Sequence, residues 1–175
     1  MQEQYIHIDK YGSKIVYKDR EMKICHRTDG PAFEDADGSK LWYVDDKLHR
    51  LDGPAIEDAD GSKSWYVNGK LHRLDGPAVE DADGGKLWYV NGSLHREDGP
   101  AVEHTSGTKE WYVNGKRHRL DGPAIEYADE DKSWYVNGEH LSEEAFNALT
   151  EPIELTLEDI AAKFGFDVGK IKIKK

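Results

Sequence analysis

Cysteine is almost missing: Cys25 stands alone among 175 residues, so no internal disulfide staples the chain and no metal site can be built on several thiolates. Methionine (two) and phenylalanine (four) are scarce, and 37% apolar residues make a thin core for this length. A deeply packed enzyme is not expected from such a supply. No apolar run approaches the ~20 residues that span a bilayer, and the opening MQEQYIHIDK lacks the basic-then-apolar run of a secretory signal. Positive charge is in deficit too, with 24 Lys and Arg against 35 Asp and Glu for a balance of −11. Phosphate backbones and anionic membranes repel such a chain on average. The expectation is a soluble cytoplasmic protein with no membrane partner, for which nucleic acid is a disfavoured ligand.

What is abundant is repetition. His-Arg recurs at 26, 49, 72, 95 and 118, each time followed by x-Asp-Gly-Pro-Ala, and Trp-Tyr-Val recurs at 42, 65, 88, 111 and 134. Each step is 23 residues, and all five tryptophans and five of the six prolines keep the register, so the rare residues serve a repeat rather than one site. Within the unit 53–75, Asn68-Gly69 after Trp65-Tyr66-Val67 predicts a type I′ hairpin, with Val67 opposite Lys70, Tyr66 opposite Leu71 and Trp65 opposite His72. A second reversal falls at Ala59-Asp60-Gly61, and Asp75-Gly76-Pro77 bends the returning strand. Equivalent residues of successive units then lie two strands apart, about 9.6 Å, in rows that run roughly 50 Å over the array. The fold class is an all-β repeat array, an elongated single-layer antiparallel sheet of hairpins with a small α+β tail.

Three parts follow: a capping hairpin over 1–25, five repeats over 26–138, and a helix–helix–strand tail over 139–175. In the cap, Ile6 to Tyr17 imitates a unit without its Trp. In the tail, Ser142 caps a helix through Leu149 with Leu141, Ala145 and Leu149 on one stripe. Thr156 and Asp159 open a second helix, with Leu157, Ile160, Ala161 and Phe164 on one face and Gly165 as its stop. Lys170-Ile171-Lys172-Ile173-Lys174 alternates like a protected edge strand.

Tyr66-Val67-Asn68-Gly69-Lys70-Leu71-His72 resembles the core of a MORN repeat, with Arg73 where that family has glycine and Asp75-Gly76-Pro77-Ala78 added. The whole pattern over 26–138 more closely resembles the WYxNGxxHRxDGPA repeat proteins of tailed phages and giant viruses. That resemblance implies a β-repeat fold and a viral accessory protein in a host cytoplasm. It implies no activity. The tail is similar to a short C-terminal segment of various phage proteins.

The His-Arg-x-Asp row could in principle do acid/base work or clamp phosphate. Five translated copies give five equal sites rather than one asymmetric constellation, so no catalytic residue is assigned and no cofactor or metal is expected. Glu-Asp-Ala-Asp-Gly at 34–38, 57–61 and 80–84 has the carboxylates of a calcium loop, but 103–107 and 126–130 discard them, which reads as turn chemistry. The segment 156–165 resembles the start of a helix-turn-helix with no room for a recognition helix. Binding is therefore expected over catalysis. The candidate surface is Arg50, Arg73, Arg96 and Arg119 with Trp65, Trp88, Trp111, Tyr66, Tyr89 and Tyr112, residue types enriched at interfacial hot spots. The expected partner is a host protein, with a homodimer also open. Residues 24–138 carry 23 acidic and 14 basic side chains, which leaves nucleic-acid mimicry as one alternative and sequestration of a nucleotide signal as another. The inner tryptophans are expected to pack on their own histidines and on the neighbouring unit, and the arginines to pair with Asp52, Asp75, Asp98 and Asp121 or with neighbouring carboxylates on an exposed sheet face.

Overall fold

The turns set the register. In the computed structural model, which describes residues 4–152, 155–165 and 167, Asn68 and Gly69 have φ of 52° and 78°, the left-handed pair a type I′ turn demands. Glycine at the second position removes the Cβ penalty there. Val67 then pairs with Lys70 and Tyr66 with Leu71, and the His72 amide donates to the Trp65 carbonyl at 3.0 Å, as the spacing predicts. At the opposite edge Asp58 donates to Ser62 at 3.0 Å and closes the second reversal.

Each inner unit contributes four two-residue strands: Ile56–Glu57, Lys63–Ser64, Tyr66–Val67 and Lys70–Leu71 in the second. The first two join a 13-stranded antiparallel sheet that runs from Tyr5–Ile8 to Glu139–Leu141, and the last two form a hairpin alongside it. The strand divides at Trp65 because its partner leaves the ladder: Trp65 accepts from His72 and donates to Ala78 at 2.8 Å, and the five residues between those partners loop out. In the last unit no such loop follows, and Lys132–Val136 runs unbroken through Trp134, which pairs with Leu141.

Main-chain bonds alternate direction through Trp65. Ser64 and Tyr66 accept from Ala55 and Arg50 of the chain before, at 2.8 and 3.1 Å, whereas Trp65 bonds to the chain after. The strand is regular there, so consecutive side chains occupy opposite faces. One face carries Lys63, Trp65, Val67 and His72 and is overlaid by the loops. The other, bare face carries Tyr66, Leu71 and rows such as Ile56, Ser64, Val79 and Leu87, aligned by the strand register. On the looped face the same register generates an alternating charge row from Lys14 to Lys132, through pairs such as Glu57 with Lys63 and Lys63 with Glu80.

The deepest side chains are not aromatic. Ala32, Ala55, Ala78, Ala101 and Ala124 of the Pro-Ala step are all 0% exposed, while the tryptophans are only half-buried. With the alanine fully buried in every unit, a longer side chain there would have to displace its neighbours.

The last hairpin is covered by helix α1 (Glu143–Thr150), capped by Ser142 accepting from Ala145 at 3.1 Å. Its packed residue is Phe146, whereas Leu149 is exposed, so the stripe expected on Leu141, Ala145 and Leu149 is displaced by one position. Helix α2 (Leu157–Phe164) has the expected capping box and ends at Gly165 with φ 69°. The Lys-rich alternation at 170–174 lies outside the described residues.

Candidate functional site

Each His-Arg-x-Asp-Gly-Pro loop is tied down by its own arginine. Arg73 Nε donates to Asp75 at 3.0 Å, and its Nη1 donates to the Pro77 carbonyl at 3.1 Å and to Glu80 at 2.9 Å. The guanidinium lies 4.0 Å from the centre of the Trp65 ring, a cation–π stack. Arg50, Arg96 and Arg119 repeat this on Trp42, Trp88 and Trp111 at 4.0 to 4.1 Å. Glycine at position 76 lets the guanidinium lie close, since a Cβ there would stand 2.9 Å from Arg73 Cζ and the arginine would have to shift. The same clash holds for Gly53 and Gly99.

The arginine side chains are therefore about one-fifth exposed, rather than displayed on an open sheet face, although their pairing with Asp52, Asp75, Asp98 and Asp121 is as expected. Hydrogen bonds from the arginines, with their charge, hold the Asp52, Asp75, Asp98 and Asp121 carboxyls below the usual carboxylate range. For Arg119, burial would lower the guanidinium pKa, but the bonds to Asp121 and Glu126 outweigh it and raise it.

The structure does not bring the candidate residues onto one surface. Trp65, Trp88 and Trp111 lie under the arginines on the looped face, while Tyr66, Tyr89 and Tyr112 lie on the bare face. Burial pushes the Tyr89 and Tyr112 hydroxyls up, with the adjacent Tyr66 adding to the first and Glu110 to the second. The inner tryptophans pack on arginine, a partner eight residues on that the hairpin register alone does not suggest.

The histidines serve the seams between units. Nδ1 of His72, His95 and His118 accepts the amide of Asn91, Asn114 and Asn137 in the next unit at 3.1, 3.1 and 3.0 Å. This leaves their ring proton on Nε2. At the other edge the Ser39 and Ser62 hydroxyls accept from Ala59 and Ala82 at 3.0 Å, and Thr108 accepts from Ala128 at 3.2 Å. Gly85 occupies the equivalent place in the third unit and has no hydroxyl to offer. The Asp-Ala-Asp carboxylates are engaged locally, as where Asp60 accepts from Ser62 at 2.8 Å, and no metal-holding cluster of His, Cys, Asp or Glu occurs among the described residues.

What the sequence reading passed over is the x of His-Arg-x-Asp. Leu51, Leu74 and Leu120 occupy it and are 80%, 79% and 54% exposed, with Thr28 and Glu97 in the other two loops. They stand like teeth. Between successive loops open four equivalent clefts of about 550 to 600 Å³, each floored by a Trp, a Val and a His and walled by two Arg–Asp loops. The available signal was an apolar residue beside Asp-Gly-Pro, where turn chemistry favours polar ones.

The fourth unit differs on the bare face. Glu110 replaces Ser64 and Leu87, Arg117 replaces Leu71 and Leu94, and the two changes pair at 3.0 Å with Tyr112 donating to Glu110 at 3.0 Å. Burial alone would raise the Glu110 carboxyl, but His104, Tyr112 and Arg117 hold it below the usual range.

No protein-family model matches this chain, and no curated protein matches it. Among the described residues no helix is long and apolar enough to cross a membrane.

Proposed function

We propose that this chain is a non-catalytic protein-binding module of the viral MORN-like repeat type, and that it engages a host protein through the looped face. The observation that carries the reading is the line of teeth. Leu51 and Leu74 remain about four-fifths exposed on loops that the Arg–Trp stack and three hydrogen bonds hold rigid. A single exposed leucine needs no explanation, but a periodic set on preorganised loops, each flanked by a cleft, is suited to burial. Each leucine covered by a partner contributes about 1.5 to 3 kcal/mol of apolar transfer.

The arginines support this module from beneath rather than contacting the partner. Their Nε and Nη1 are committed to Asp, Pro and Glu of their own loops, which weighs against a phosphate clamp and so against nucleotide sequestration. The exposed aspartates carry arginine partners at 2.8 to 3.0 Å, which weighs against a bare anionic row imitating DNA.

The test is cross-linked capture from host extract with the wild type and a Leu51→Ser, Leu74→Ser, Leu120→Ser variant whose circular dichroism is unchanged. The variant is expected to lose a partner that the wild type retains. Equal recovery of the same proteins by both would move binding off the looped face.

A further inference from the structure

We infer that the partner segment is a polyproline II helix, proline-rich and net basic, which lays one residue in three into successive clefts. This inference rests on the looped face being the binding surface and names the chemistry it fits.

The pitch of the clefts matches that of the helix. Equivalent clefts are two strands apart in the sheet order, so they recur about every 9.6 Å at ~4.8 Å per strand. A polyproline II helix has three residues per turn and rises ~3.1 Å per residue, returning the same face every ~9.3 Å. Over four clefts the accumulated mismatch is about 1 Å, within side-chain adjustment. A β-strand presents one face every ~6.7 Å, and an α-helix at ~1.5 Å per residue covers the cleft spacing in between six and seven residues, where its face has rotated away. Only the three-residue period keeps step with this array.

The chemistry of the clefts agrees. Trp65 and Val67 floor the second cleft, and Arg50, Asp52, Arg73 and Asp75 wall it, so its wall charges balance, as in the first cleft, and suit an uncharged inserted residue, while Glu97 adds one negative charge to the third and fourth. Proline against an aromatic floor meets that requirement. Polyproline II makes no internal hydrogen bonds and offers bare carbonyls. The histidines in the second and fourth clefts, His72 and His118, supply Nε2–H donors, because their Nδ1 atoms already accept from Asn91 and Asn137, whereas His95 Nε2 in the third stands 3.8 Å from Glu97. The residues that point away from the clefts meet a chain of net charge −11, which favours lysine or arginine there.

The experiment measures fluorescence anisotropy of labelled peptides with the full chain. A peptide of four Pro-Pro-Lys triplets is compared with two triplets, with four triplets interrupted by one Gly after the second, and with four Lys-Gly-Gly triplets of equal charge. The expected result is that four triplets bind at least about tenfold more tightly than two, and that the inserted Gly abolishes the gain, because it puts the second half out of step. Leu51→Ser with Leu74→Ser is expected to weaken the four-triplet peptide by about tenfold. Equal binding of Lys-Gly-Gly, indifference to the inserted Gly, or no binding of the four-triplet peptide each overturns the inference. If the peptides fail while the leucine triple variant still loses its captured partner, the binding face stands and only the polyproline assignment falls.

Discussion

The middle of each unit and its two turn edges are held together in different ways. In the middle, a fully covered alanine, a Trp–Arg stack and a loop locked by three arginine bonds recur from unit to unit with distances that vary by a few tenths of an ångström. At the edges, fewer hydrogen bonds join neighbours: at the Asn-Gly side His72 Nδ1 and the Leu71 carbonyl accept from Asn91 and Gly92 of the next unit, and at the Asp-Gly side a serine or threonine hydroxyl accepts one bond that is missing at Gly85. In the middle the alanine is fully buried and the arginine has several partners, so changes there are expected to cost most. Each edge bond lies near solvent, where its loss is partly repaid by water.

The sharpest way to break this contrast is to overfill the middle. Ala78→Leu is expected to destabilise by about 3 kcal/mol or more, since the added atoms must displace the loop above. Urea unfolding midpoints would measure it; a neutral result would mean that the alanine is not the close-packed centre.

Next in size is the loop lock. Arg73→Ala removes a stack worth about 1 kcal/mol and a carbonyl bond of similar size, for a total loss of about 2 kcal/mol. Arg73→Lys should recover less than half of that, because an ammonium cannot span Asp75, Pro77 and Glu80 while lying flat on Trp65. Full rescue by lysine would reduce the lock to simple charge.

At the Asn-Gly edge, His72→Ala is expected to cost about 1 kcal/mol, the worth of one hydrogen bond. A cost above that of Arg73→Ala would reverse the ranking of middle over edge. At the Asp-Gly edge the array can be improved. Gly85→Ser places a hydroxyl where Ser62 has one, with a Cβ whose one close approach is the movable Asp81 carboxylate at 2.8 Å, the Asp83 carboxylate lying at an ordinary 3.5 Å. A gain of about 0.5 to 1 kcal/mol is expected. By calorimetry that is a melting-temperature rise of about 1 to 4 °C for a chain of this size. No rise would show that the third seam is already satisfied without the hydroxyl.

The smallest effect belongs to the loop tips. The folded pKa values of Asp52, Asp75 and Asp98 are depressed by their arginines, so their contribution is present above the unfolded Asp value of about 3.9 and is lost as pH falls through the lowered folded values. Melting temperature should therefore fall slightly between about pH 4 and pH 2, and less so in a triple Asp→Asn variant. An identical acid slope in that variant would assign the loss to other carboxylates.

Much of this was readable because the units repeat. Asn68-Gly69 carries its own backbone requirement, so the turn and the pairing of Val67 with Lys70 follow from two residues. The helix caps at Ser142 and Thr156 are equally local. The stripe on α1 was misplaced because which residue packs depends on the angle at which the helix meets the last hairpin, and Phe146 rather than Leu149 faces it. The placement of the candidate residues also depends on tertiary packing. Arginine and tryptophan suggest an exposed hot spot by residue type, but eight residues apart in sequence they stack on each other.

Sequence alone determined the 23-residue period, the hairpins, the antiparallel sheet and the helical tail, because turn chemistry and strand pairing act between near neighbours. The return of each loop over its own tryptophan was decided only in three dimensions. That return occupies the arginine, stacks it on the tryptophan, and leaves the leucines outside. It depends on how a five-residue excursion packs against a face already built, and no pattern within the excursion encodes which side chain will cover which.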